Sequence, residues 1–189
     1  MIKYIYLLLC ISFFLACESN KSPKKITGDR QFQTTDPSRL YFKNIKSVAY
    51  YRTRKRHSEI DIYQVRKFSR TNKRPILYPQ ILDNWLDNEA YIFIEKNAFP
   101  KYASPLTIKA TQDTLSTIFE IDIFNKKNQY EFVENIYQAL KNRAELSVKT
   151  KEESFVPIFQ NYQDKSNFMM TIRDYYRLIE LDRKAKLNH

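Results

Sequence analysis

The chain has 189 residues and a formal net charge of +11, with 14 tyrosines, 13 phenylalanines and a single glycine, Gly28. So many aromatic residues exclude a disordered chain and predict a sizeable buried core. One glycine, placed before the aromatic-rich part, excludes a phosphate-cradling loop, a dinucleotide fingerprint and a hydrolase nucleophile elbow, all of which need glycine where backbone meets ligand.

The chain opens Met1-Ile2-Lys3 and continues with an apolar run from Tyr4 to Ala16. That run is shorter than the ~20 residues a membrane-crossing helix needs. A basic start, a short apolar stretch and a small residue at a cut site is the layout of a secretory signal. Here Ala16 is followed directly by Cys17. Phe14-Leu15-Ala16-Cys17 resembles the lipobox of bacterial lipoprotein precursors, most like the looser boxes of Bacteroidota. The resemblance spans about the first twenty residues and departs at Phe14, where Leu is usual. It implies that residues 1–16 are removed, that Cys17 carries lipid, and that several acyl chains attach the protein to a membrane. Cys10 would leave with the signal, so no cysteine pair would remain to oxidise.

Residues 17–39 are polar and hold Pro23, Gly28 and Pro37, with Ile26 and Phe32 isolated among them. This composition reads as a flexible tether with a span of ~25 Å. A single globular domain is expected over residues 40–189.

Most of that domain reads as strand. Leu106, Ile108 and Ala110 alternate with polar residues, as do Phe119, Ile121 and Ile123. Further strands are expected near 41–53, 59–68, 75–82, 90–95 and 145–149, the first two as a hairpin with its loop at Arg54 to Ser58. Phe155 to Phe159 reads as an edge strand limited by Pro157. A helix is expected from Asn128, whose partner Glu131 gives a capping-box start, with Tyr130, Val133, Ile136, Tyr137 and Leu140 on one face. A second is expected from Thr171 to about Lys184, carrying Ile172, Tyr175, Tyr176 and Ile179. Strands first and helices afterwards predict an α+β fold, an antiparallel sheet with helices packed on one side and mainly in the C-terminal half. With so little glycine, turns should rest on Asn72, Asp87-Asn88 and Asn125.

The charge is local. Residues 43–74 hold eleven Lys or Arg against two acids, Glu59 and Asp61. Arg52, Arg54, Lys55, Arg56, Arg66, Lys67, Arg70, Lys73 and Arg74 therefore form a candidate basic arm for an acidic partner protein or an anionic surface. Tyr50, Tyr51 and Tyr63 lie among these bases as in a nucleic-acid footprint, but export removes nucleic acid from the expected partners. Neutralising Arg54, Lys55 and Arg56 is expected to weaken the contact and leave the fold intact.

No catalytic or metal site is expected, and no cofactor. His57 lies among bases and His189 ends the chain, which leaves no zinc set and no Ser-His-Asp triad. Paired acids remain: Glu120 with Asp122, and Asp83, Asp87 and Glu89 around Trp85, a pattern that could also serve a glycan-binding or glycan-cleaving domain. The expected role is that of a binding protein, an accessory subunit of an envelope assembly. Only Glu18 is acidic just after Cys17, which places it on the outer membrane facing the periplasm, with the oligomeric state left open.

Overall fold

The computed structural model describes residues 32–180 apart from 55–57, 69–70, 72, 100–101 and 122–124. Cys17, Lys55, Arg56, His57, Arg70, Asn72, Asp122, Ile123 and His189 lie outside the described residues. The fold is α+β, as composition and element order predict, but its strands form two antiparallel sheets rather than one. The first joins β1 (Tyr50–Arg54), β2 (Ile60–Val65), β3 (Leu77–Asn84) and β4 (Glu89–Lys96) in sequence order. The second holds β5 (Leu106–Gln112), β6 (Leu115–Ile121), β7 (Glu145–Lys149) and β8 (Phe155–Pro157) in the order β6-β5-β7-β8.

Among the described residues, three α-helices accompany them: α1 (Asp36–Tyr41), α2 (Lys126–Lys141) and α3 (Tyr162–Leu178). Helix α2 packs against β4 of the first sheet and against β6 and β7 of the second, while α3 lies on β3 and β4. The apolar positions predicted for these helices are the ones that close the core. Val133, Ile136, Tyr137 and Leu140 of α2 are buried, as are Ile172, Tyr175 and Ile179 at the end of α3. Tyr130 and Tyr175 bring their rings to 6.4 Å, and Tyr137 and Tyr176 to 5.6 Å.

The beginnings of the helices differ from the expected ones. Asn125, not Asn128, caps α2, accepting a hydrogen bond from the Asn128 N–H. Asn161 caps α3, ten residues before Thr171. Thr171 and Asp174 look like a helix start in sequence, yet both are buried inside the helix, and the Thr171 hydroxyl bonds back to the Asn167 carbonyl. A polar pair on a buried helix face mimics a cap when its tertiary partners are unknown.

The largest departure is at the N-terminal end. Residues 32–39, expected as tether, are folded: Phe32 is fully buried against Tyr91 and Tyr130, and Gln33 bridges to Glu89. Helix α1 follows, with Thr35 and Ser38 forming a reciprocal capping box and Pro37 in the first turn. It runs into a π-turn (Phe42–Lys46) and a 3₁₀ turn (Ser47–Ala49) before β1. Residues 41–49, expected as strand, are therefore helical. With Arg39 before them, buried Phe42 and half-buried Lys43 and Lys46 form the inward stripe, mostly cationic, so a hydrophobic period cannot reveal it.

Glycine scarcity shows in the backbone. Asn88, Asp113, Arg143, Glu153, Phe159 and Glu180 take left-handed conformations, each at roughly 1–2 kcal/mol for a side chain that crowds the following carbonyl. Asn88 is the expected one. Arg143 and Glu180 stand just past α2 and α3, where glycine is usual.

A basic cleft over a row of buried acids

Period-two alternation sets one face of the first sheet. Strand β2 turns Asp61, Tyr63 and Val65 inward, and β3 turns Leu77, Pro79, Ile81 and Asp83 inward. The register then aligns Arg54, Asp61, Asp83 and Ala90 in one cross-strand row, and Arg52, Tyr63, Ile81 and Ile92 in a row on the same face. Two fully buried carboxylates, Asp61 and Asp83, thus lie directly opposite each other. Like charges so placed repel unless cations answer them.

The cations come from both sides. Arg54 grips Asp61 with two hydrogen bonds, 2.5 and 2.8 Å, and Arg52 reaches the same carboxylate at 2.8 Å. Arg39 donates to Asp83 at 3.0 Å, and its other two nitrogens reach Asn88 and Thr34 at 2.7 Å each. Lys43 lies 3.3 Å from the second Asp83 oxygen but out of line for a hydrogen bond, so that oxygen receives charge and no bond. Burial alone would raise the Asp61 carboxyl, but the hydrogen bonds from Arg54 and Arg52 outweigh it and hold the group below the ordinary carboxylate range. A carboxylate so held stays ionised near neutral pH and is not a proton donor there.

Phe42 seats the helical segment on this face. Its ring meets Tyr63 edge-on at 5.0 Å and Tyr50 at 5.7 Å. Burial pushes the Tyr63 hydroxyl up to about 12, with the Asp61 charge adding to the rise. Tyr50 is pushed further in the same direction by burial and by Asp174 of α3, which accepts its hydroxyl at 3.0 Å. Lys46 approaches Asp174 at 3.4 Å.

Between the helical segment and the hairpin lies an open cleft of about 310 Å³. Lys43 and Ser47 line one wall, Arg52 and Arg66 the other, with Tyr50 and Tyr63 also on the lining. Arg66 is fixed there: its Nε donates to the Tyr50 carbonyl at 2.9 Å, and its guanidinium lies 4.7 Å from the Tyr51 ring centre. A cleft with three cations and a hydroxyl offers donors to a carboxylate or a phosphate.

The structure regroups the arm predicted from sequence. Arg52 and Arg66 meet in the cleft. Arg52 and Arg54 meet on Asp61. Arg74 is elsewhere, bonded at 2.7 Å to Asp164, a buried acid of α3. Lys67 and Lys73 are exposed and line no part of the cleft. The expectation that Arg54 can be neutralised without touching the fold is corrected, because Arg54 answers a buried carboxylate. Counting charges along the chain missed Asp83, Asp164 and Asp174, which lie beyond the arm in sequence and against it in space. Lys43 and Ser47 were missed as wall residues because their segment reads as strand.

The other candidate acids are already engaged. Asp83 is buried beneath Arg39 and Lys43, Asp87 accepts from Asn84, and Glu89 bonds to Tyr91 and pairs with Lys126. Trp85 is 40 % exposed on the turn between β3 and β4, with the Arg54 guanidinium 5.7 Å from its ring centre. Its exposure meets the first requirement of a sugar platform, and the Arg54 guanidinium lies over the ring. Glu120 accepts from the Thr107 hydroxyl. Among the described residues, no group of three His, Cys, Asp or Glu is placed to hold a metal, and no helix is long and apolar enough to cross a membrane. No family model, curated protein or solved structure matches the chain.

Proposed function

We propose that this protein is an envelope lipoprotein, anchored through lipid on Cys17, that acts by binding an acidic segment of a partner protein in the cleft between Lys43 and Arg66. The convergence of Lys43, Arg52 and Arg66 on one open cleft carries the reading. Anchoring rests on the lipobox-like Phe14-Leu15-Ala16-Cys17, and the single acid just after it, Glu18, favours the outer membrane with the domain facing the periplasm. In that setting the protein is an accessory subunit, supplying a docking surface rather than a reaction.

Gentle detergent extraction of the native membrane, followed by capture of the protein and mass spectrometry of its companions, tests the reading. Arg66→Glu is the informative variant, because Arg66 is exposed and, among the described residues, pairs with no buried acid. A stoichiometric companion retained by the wild type and lost by Arg66→Glu supports the cleft. A companion that survives the change removes the cleft from the interface. Metabolic labelling with an alkyne fatty acid reports on the anchor separately, and label that persists in Cys17→Ala would overturn it.

A further inference from the structure

Two sheets present four edges, and sheet edges invite pairing with other chains unless they are shielded. Three of the four are shielded. Strand β1 is short and carries Arg52 and Arg54. Along β4, the Gln129 side chain accepts the Ile94 N–H at 2.8 Å, while Gln33 bridges Glu89 and the Thr34 N–H bonds to the Asn88 carbonyl. Strand β8 has three residues and ends in Pro157, which has no N–H to offer.

Among the described residues, strand β6 has none of these devices. It runs seven residues, Leu115-Ser116-Thr117-Ile118-Phe119-Glu120-Ile121, without lysine, arginine or proline. Leu115 is 77 % exposed and Ile118 56 %. Among the described residues, its main chain bonds to β5 and to no other strand.

We propose that β6 is a homodimer interface in which two copies of the chain pair antiparallel, with Ile118 facing Ile118 on the two-fold axis. The occupant is read from the strand itself. Antiparallel pairing about Ile118 sets Leu115 against Ile121, Thr117 against Phe119 and Ser116 against Glu120. The strand's one charge thus meets a hydroxyl, and no like charges face each other. A register centred on Glu120 would set two carboxylates together. The axis stands perpendicular to the sheet, so Phe119 and Ile121 stay on the α2 side in both copies. Beside β6 lies a groove of about 280 Å³, lined by Leu115, Thr117 and Phe119 with Asn135 and Ala139 of α2. Pairing would cover its outer rim. Two four-stranded sheets would become one of eight strands, within the ordinary range. This interface does not depend on the basic cleft or on the anchor.

Oxidative cross-linking of the purified full-length chain tests it, with the wild type setting the background from Cys10 and Cys17. Ile118→Cys should form disulfide-linked dimer at least tenfold above that background. Ser116→Cys should stay at background, because its two copies would lie four residues apart along the ladder, ~14 Å. In sedimentation, Ile118→Lys should be monomeric where the wild type dimerises, and its melting temperature should match that of the wild type diluted to where it too is monomeric. Equal cross-linking at 116 and 118, or a dimer that survives Ile118→Lys, would overturn the register. A wild type that is monomeric at all concentrations would overturn the dimer and leave the edge to another protein's strand.

Discussion

The two sheets are four-stranded and antiparallel, yet they are held by different physics. The first turns a face of mixed character towards its covering segment, with Tyr50, Tyr63 and Ile81 giving way to Arg54, Asp61 and Asp83. Its helical cover is fastened by Phe42 and by ion pairs from Arg39 and Lys43. The second sheet turns Leu106, Ile108, Ala110, Leu146 and Val148 towards α2, which answers with Phe132, Val133, Ile136 and Leu140. Buried charge fixes position because an unanswered carboxylate is costly, whereas apolar packing contributes more stability for the area it buries. The first region therefore has its helical segment placed by charge, and Lys43 and Arg52, which answer buried acids, join Arg66 in opening onto a cleft. The second keeps its charge on the wet face and, among the described residues, leaves one long edge uncovered.

The sharpest way to break this contrast is to remove one side of a buried pair. Arg39→Met leaves Asp83 answered by Lys43 alone and deprives Asn88 and Thr34 of their donor. It should cost about 3–5 kcal/mol, read by denaturant unfolding. A loss below about 1 kcal/mol would mean that the charge network is dispensable and Phe42 alone seats the segment. In the second sheet, Ile108→Ala should cost about 2–5 kcal/mol through lost burial and the cavity left behind. Its effect should be insensitive to salt, while that of Arg39→Met should be the more salt-dependent of the two.

Acid titration sharpens the contrast further. Asp61 has its folded pKa depressed, so its contribution is present above the ordinary aspartate value near 3.9 and is lost as pH falls through its lower folded value. Asp61→Asn should flatten the acid limb of the stability curve, and an unchanged limb would show that other carboxylates set it. The smallest effect is expected at the alkaline end. Tyr63 has its folded pKa raised to about 12, so its contribution is complete below about 10 and lost as pH rises towards 12. Tyr63→Phe should make the decline over that window shallower, with Tyr50, Tyr91 and Tyr102, which are also raised, keeping part of it.

Much of the fold was legible because period and partner agree. Strands β2 to β5 and β7, the buried face of α2 and the apolar end of α3 follow from side chains whose own hydrophobicity states where they go. Phe155 to Pro157 reads correctly as an edge for a local reason, the missing proline N–H. Where a residue's place depends on an opposite charge far away in the chain, the pattern fails. Arg39, Lys43 and Lys46 form a helical stripe only because Asp83 and Asp174 wait beneath them. Without those acids the segment reads as tether and strand. Thr171 and Asp174 fail in the same way, a buried polar pair taken for a helix cap.

By itself, then, the sequence determined an α+β domain with an aromatic core, a chemistry without glycine-dependent motifs, and a concentration of cations between residues 43 and 74. Hydrophobic period, residue type and charge are properties that each segment carries alone. Tertiary structure decided which of those cations answer buried carboxylates, which open onto a cleft, and that Lys43 and Arg52 do both. It also decided that the strands divide into two sheets, and that among the described residues β6 alone of their edges lacks a shield. These are properties of pairs distant in sequence, and pairing is settled only when the whole chain has folded.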